Sequence, residues 1–163
     1  MSITPLQVAL HSGEAKIKIE GMGTLKISED LKKFCLTAIS KKIKKLVIDL
    51  SSCSHMDSTF MGTLTEIELY SRKIEKTFVT ILNISPENKA LLSGLGLKNF
   101  FNFVYSESET KGWKQLDISP FEAGMTNSQS IIDAHKALMD VDEKNIAKFE
   151  DVITFLEDEP RSD

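Results

Sequence analysis

A chain of 163 residues, 41% hydrophobic and 27% charged, suits one folded domain with an appendage, and this balance excludes a disordered tail or a disulfide scaffold. Its 20 basic and 24 acidic residues give a net charge of −4, without the positive field that neutralises phosphate backbones, so direct nucleic-acid binding is not expected. Cys35 and Cys53 lie outside any CxxC or zinc-type spacing, and no run reaches the ~18 apolar residues of a membrane span, so neither a metal site nor a membrane span is expected and the cytoplasm is the expected compartment.

In chain order, Leu6 to Leu10 and Ala15 to Glu20 read as two strands of a starting hairpin, the second alternating apolar and polar residues. Gly21-Met22-Gly23 interrupts them. Ile27, Leu31, Phe34, Cys35, Ala38 and Ile39 then recur at helical spacing, predicting a helix from about Ser28 to Ile43, with Ser28 and Asp30 as candidate caps. The run LVIDL from Leu46 to Leu50 is too short for a helix and apolar enough for a strand covered on both faces, the expected centre of the sheet. Met61, Leu64, Ile67 and Ile74 mark a second helix ending near Lys76, and Phe78 to Leu82 a further buried strand. Ser85-Pro86-Glu87 starts a short helix, because serine caps free N–H groups and proline at the first helical position gives up no useful donor. Phe100 to Val104 closes the alternation as an edge strand. Helices alternating with strands require crossover connections, so the expected fold class is α/β: a mostly parallel sheet of four to five strands flanked by helices.

This domain is expected over residues 1–106, followed by a linker over 107–127, in which Trp113 serves as an anchor to the body. Over 128–159, Ile131, His135, Leu138 and Met139 form one apolar stripe and Ile146, Phe149, Val152, Ile153 and Leu156 another, predicting a helical hairpin joined around Asp140 to Asp142. Helices of this length are marginal alone. Their apolar faces therefore need the α/β domain, a partner, or a second copy of the chain in a homodimer.

Enzyme signatures are sparse. The sequence holds no GxxxxGK[ST] or GxGxxG phosphate loop and no GxSxG elbow, so no cofactor is expected. An enzymatic reading would rest on His55, Asp57 and Ser58, with His55 within hydrogen-bond reach of the serine hydroxyl. The segment SHMDSTFMG, residues 54–62, leaves the carboxyl end of the central strand, where open α/β sheets meet their ligands. Asp57 stands as an N-cap facing the positive end of the following helix, with Ser58 and Thr59 in the first turn. A phosphate on Ser58 would meet free N–H groups but also add about −1.5 to −2 charges beside Asp57, which suits a switch.

The stretch VIDLSSCSHMDSTFMGTL resembles the signature of STAS domains, specifically of bacterial anti-sigma factor antagonists. The matching residues are Asp49, Leu50 and Ser51 at the strand end, then Met56, Asp57, Ser58, Thr59 and Gly62 at the helix start, and IKIEGMGTLKISEDLKKF resembles the preceding strand, turn and helix. The resemblance covers about 100 residues and implies a STAS-like fold and a non-enzymatic regulator working by partner switching. On that pattern the unphosphorylated chain binds an anti-sigma factor that is also a serine kinase, phosphorylation of Ser58 ends the binding, and a serine phosphatase resets it. Asp49, Ser51, Met56, Asp57, Thr59, Phe60 and Gly62 are then the expected partner-binding residues. Phe60 departs from the pattern, standing where the family commonly has glycine, which would set an aromatic ring beside the phosphoacceptor. A constitutive STAS scaffold, or a module that binds a small ligand, is the alternative.

Overall fold

A computed structural model describes residues 5–116 and 128–158. Strands β1 (Leu6–His11) and β2 (Glu14–Ile19) form the starting hairpin, and Gly13 occupies the left-handed region at its turn with φ of 74°. β2 buries alternate residues, with Ala15, Ile17 and Ile19 fully covered, and β1 buries Leu6 and Ala9. β3 (Gly21–Gly23) follows, then α1 (Leu25–Ser40), β4 (Lys45–Asp49), β5 (Cys53–Met56), α2 (Ser58–Ile74), β6 (Phe78–Leu82), α3 (Pro86–Gly94) and β7 (Phe103–Val104). A two-residue strand β8 (Lys114–Gln115) and the helices α4 (Ser128–Val141) and α5 (Lys144–Glu157) complete the chain.

The main sheet has the order β7-β6-β4-β2-β1-β8. β2, β4, β6 and β7 run parallel, and β1 is antiparallel to both β2 and β8. β4 lies at the centre, as its unbroken apolar run predicts, with Leu46, Val47 and Ile48 buried. The strand count exceeds the four to five expected because β8 falls inside the segment read as a linker. There Leu116 donates its N–H to the Leu6 carbonyl at 2.9 Å, and the Lys18 ammonium lies 5.8 Å from the Trp113 ring centroid. The rest of that segment, 117–127, and residue 159 at the end of the expected hairpin lie outside the described residues.

Three local readings change. α1 starts at Leu25, capped by Thr24, whose hydroxyl accepts from the Lys26 N–H. Ser28 sits inside the helix, 3% exposed, and donates to the Thr24 carbonyl at 2.9 Å, so neither Ser28 nor Asp30 is the cap. Cys53 to Met56, read as loop, pairs in parallel with β3 in a separate two-stranded sheet beside the start of α2. The last strand is cut to Phe103–Val104, because Phe100 and Phe101 turn into an aromatic cluster with Phe103.

The α4–α5 hairpin docks on the α/β body. α4 lies along α2 and buries Ile132, Ala134, Ala137 and Leu138, and Leu138 joins the main hydrophobic core. Among the described residues no helix is long and apolar enough to cross a membrane.

Candidate functional site

The site is built at the carboxyl end of the central strand, where β4 hands over to β5 and α2. Asp49, 7% exposed, closes this strand end by accepting the Ser51 N–H at 2.9 Å, and leaves Ser51 exposed. Met56, 1% exposed, seals the floor as the last residue of β5. Asp57 then caps α2: its backbone is extended, and one carboxylate oxygen accepts the Phe60 N–H at 2.8 Å. Its other oxygen accepts the Leu25 N–H at 2.9 Å, from the first residue of α1. One carboxylate therefore ties two helix starts together, and the Asp57 backbone N–H donates in turn to the Gly23 carbonyl at 2.9 Å.

Ser58 is the first residue of α2 and is half-buried. Its hydroxyl oxygen lies 2.8 Å from Nε2 of His135 on α4, across 77 positions of sequence. His135 Nδ1 lies 2.7 Å from the Ile131 carbonyl, which can only accept. Nδ1 therefore carries a proton, and in the neutral ring the Ser58 hydroxyl donates to Nε2. The imidazole is 3% exposed and meets the edge of Phe149 from α5 at 4.8 Å between centroids. Serine and histidine are thus within the reach a nucleophile and base require, but the ring is oriented by a main-chain carbonyl and not by a carboxylate. His55 is not the partner: it is exposed on β5 and makes no hydrogen bond to Ser58 among the described residues, which takes His55 out of the cluster expected from the sequence.

The remaining motif residues face inward. Thr59 is 7% exposed and accepts the Thr63 hydroxyl through its carbonyl. Phe60 does not stand beside the acceptor. It is fully buried against Gly23, where a Cβ would come within 2.8 Å of two ring atoms, so the absence of a side chain at Gly23 makes the room that Phe60 fills. Gly62 faces α4, and a Cβ there would stand 2.2 Å from the Ala134 carbonyl oxygen. One turn further, Glu66 meets Lys32 of α1 at 2.5 Å. Burial pushes the Glu66 carboxyl above its usual range against the pull of Lys32, and Asp133 of α4 raises it further.

The signals missed in the sequence were of one kind. His135 reads as one member of an apolar helical stripe, although a histidine at a buried position requires a hydrogen-bond partner. Gly62 reads as a family motif position, although a glycine inside a helix costs stability unless another backbone approaches it.

The fold and motif have counterparts. A STAS domain family model matches residues 9–110. The anti-sigma factor antagonist SpoIIAA in its unphosphorylated form matches with a TM-score of 0.54 at 17% identity, over 62% of this chain and 87% of that one. The phosphorylated form of SpoIIAA, a Bacillus cell fate determinant, matches with a TM-score of 0.52 at 17% identity, over 62% and 90% of the two chains. A putative anti-sigma factor antagonist from Thermotoga maritima gives 0.54 at 15% identity, over 61% and 84%. No curated protein sequence gives a significant match. The likeness to these structures is one of fold, and the match of the family model over residues 9–110, well over half of the sequence, establishes that the chain belongs to the STAS domain family.

Proposed function

We propose that this chain is a regulatory binding protein of the anti-sigma factor antagonist type, which holds an anti-sigma factor with serine kinase activity when unphosphorylated and releases it when Ser58 carries a phosphate. A serine phosphatase then restores the binding form. The observation that carries this reading is Asp57 as a double helix cap, with Ser58 directly after it at the first position of α2 and at the carboxyl end of the sheet. The hydroxyl sits beside a fixed carboxylate, so a phosphate bringing about −1.5 to −2 charges changes the surface most at this point. The existence of SpoIIAA in unphosphorylated and phosphorylated forms supports a switch of this kind on this fold. A sequence without a phosphate loop suits a chain that is the substrate of a kinase and leaves nucleotide binding to that partner.

The test is incubation with ATP and the serine kinases of the same genome, read by mass spectrometry of the tryptic peptide that contains Ser58. Modification at Ser58, with partner binding retained in Ser58→Ala and weakened at least tenfold in Ser58→Asp, is the expected result. Modification only at other residues, or equal partner binding by the two variants, would refute the switch and leave the constitutive scaffold.

A further inference from the structure

We propose that the α4–α5 hairpin is a built-in occupant of the docking face of α2, holding the Ser58 hydroxyl under His135, and that it must lift before a kinase or a partner helix can reach that hydroxyl. The inference rests on the reading of Ser58 as phosphoacceptor and adds its control by the part of the chain beyond the matched family region, which ends at residue 110.

The face is shaped for a helix. Gly62 removes the side chain that would separate two helix backbones, and Ala134 fills the gap so closely that a Cβ at position 62 would meet its carbonyl oxygen at 2.2 Å and its Cβ at 2.8 Å. One residue after Ala134, His135 supplies the acceptor for Ser58, and Phe149 braces the ring from behind. The contact is held at both ends. Ser130 of α4 donates to Glu29 of α1. Asn145 of α5, fully buried, donates to the Leu95 carbonyl at 2.9 Å and the Leu138 carbonyl at 2.8 Å, and Lys148 donates to the Gly94 carbonyl at 2.7 Å. The hairpin thus spans the starts of α1 and α2 and the end of α3, and it covers Ser58 and Gly62 together.

The same geometry makes the lid sensitive to the modification. A phosphoryl group on Ser58 needs the space now held by the imidazole, and it would face Asp57 on one side and the apolar ring of Phe149 behind His135 on the other. Closure and phosphorylation therefore oppose one another: the closed form engages the hydroxyl with His135, and a phosphoryl group on Ser58 would displace that contact.

Ser58→Cys in the full chain gives a direct readout of access with iodoacetamide, because Cys35 and Cys53 are buried at 0% and 5% exposure and mass spectrometry assigns each modified thiol. Alkylation at position 58 should be at least tenfold slower than in Ser58→Cys/Leu138→Asp, whose charged α4 cannot dock. Hydrogen exchange of β4 and β6 in both proteins verifies that the sheet is intact. In a second arm, Ser58→Glu should lower the exchange protection of α4 and α5 at least tenfold relative to Ser58→Ala. Equal alkylation rates, or a hairpin equally protected in Ser58→Glu and Ser58→Ala, would overturn the proposal. Neither arm uses a kinase, so failure of Ser58 as a phosphoacceptor leaves these results in place, and failure of the lid leaves the kinase result in place.

Discussion

Gly62→Ala should act with opposite signs on two parts of the same molecule. Within α2 the substitution replaces the poorest ordinary helix former by the best, a gain of about 1 kcal/mol. Across the interface the new methyl would lie 2.2 Å from the Ala134 carbonyl oxygen and 2.6 Å from its carbonyl carbon. Both neighbours are backbone, so α4 has to retreat by about an ångström to restore ordinary contact, and overpacking of this kind costs about 1–3 kcal/mol. The retreat also stretches the 2.8 Å contact between Ser58 and His135 beyond hydrogen-bonding range, removing about 1 kcal/mol more. Docking of the hairpin should therefore weaken by about 2–4 kcal/mol, which at 1.4 kcal/mol per tenfold is a factor of about 30 or more. Hydrogen exchange with peptide resolution separates the two effects: amides of residues 131–141 should lose at least about 30-fold in protection, while those of β4 and β6 stay equal or gain. Protection of α4 within threefold of the parent would refute the close backbone approach on which the helix-docking face depends.

Phe60→Ala should cost about 3–5 kcal/mol, the range for a buried phenylalanine, since the ring fills the space beside Gly23 and nothing adjacent can replace it. Urea denaturation measures this, and a loss below about 1 kcal/mol would refute the packing of the Phe60 ring against Gly23. Glu66→Gln addresses the α2–α4 seam. Because burial raises the Glu66 carboxyl in the folded chain, its contribution to stability is fully present below the ordinary glutamate value of 4.5 and is lost as pH rises through the raised one. The variant should therefore be more stable than the parent at pH 7, indistinguishable from it below pH 4.5, and flatter in between, as followed by thermal melts across that range. A Gln variant less stable at pH 7 would show that the ion pair with Lys32 outweighs desolvation.

The longer elements through α3 were legible because their signals are local: β-branched runs for strands, period 3.6 for helices, and Ser85-Pro86 for a helix start. Asp57 was legible as a cap for the same reason, since a cap is defined by the residues that follow it within one turn. The second bond of the same carboxylate, to Leu25, was not, because it joins residues 32 positions apart. Ser28 shows the competing effect within a helix: a serine written as a start signal is also small enough to be buried once its hydroxyl bonds back to Thr24. β3, β5 and β8 are strands of two to four residues, too short for any period to appear, and they exist only because a neighbour offers an edge. His135 was the largest omission. Its place in an apolar stripe gave its burial, but the stripe says nothing about which surface it meets, and the acceptor of the Ser58 proton came from that surface.

The double cap at Asp57 also fixes the charge state of the site before any modification arrives. Two helix starts converge on this carboxylate, each carrying roughly half a positive elementary charge, so together they nearly cancel its single negative charge. A helix N-terminus that is ordinarily a ready reservoir for an anion is here already occupied by the Asp57 carboxylate. An added phosphate on Ser58 would stand as further negative charge beside the Asp57 carboxylate. On the proposed switch such a mark would act through what it expels, and its removal would restore the balance of charge at the double cap.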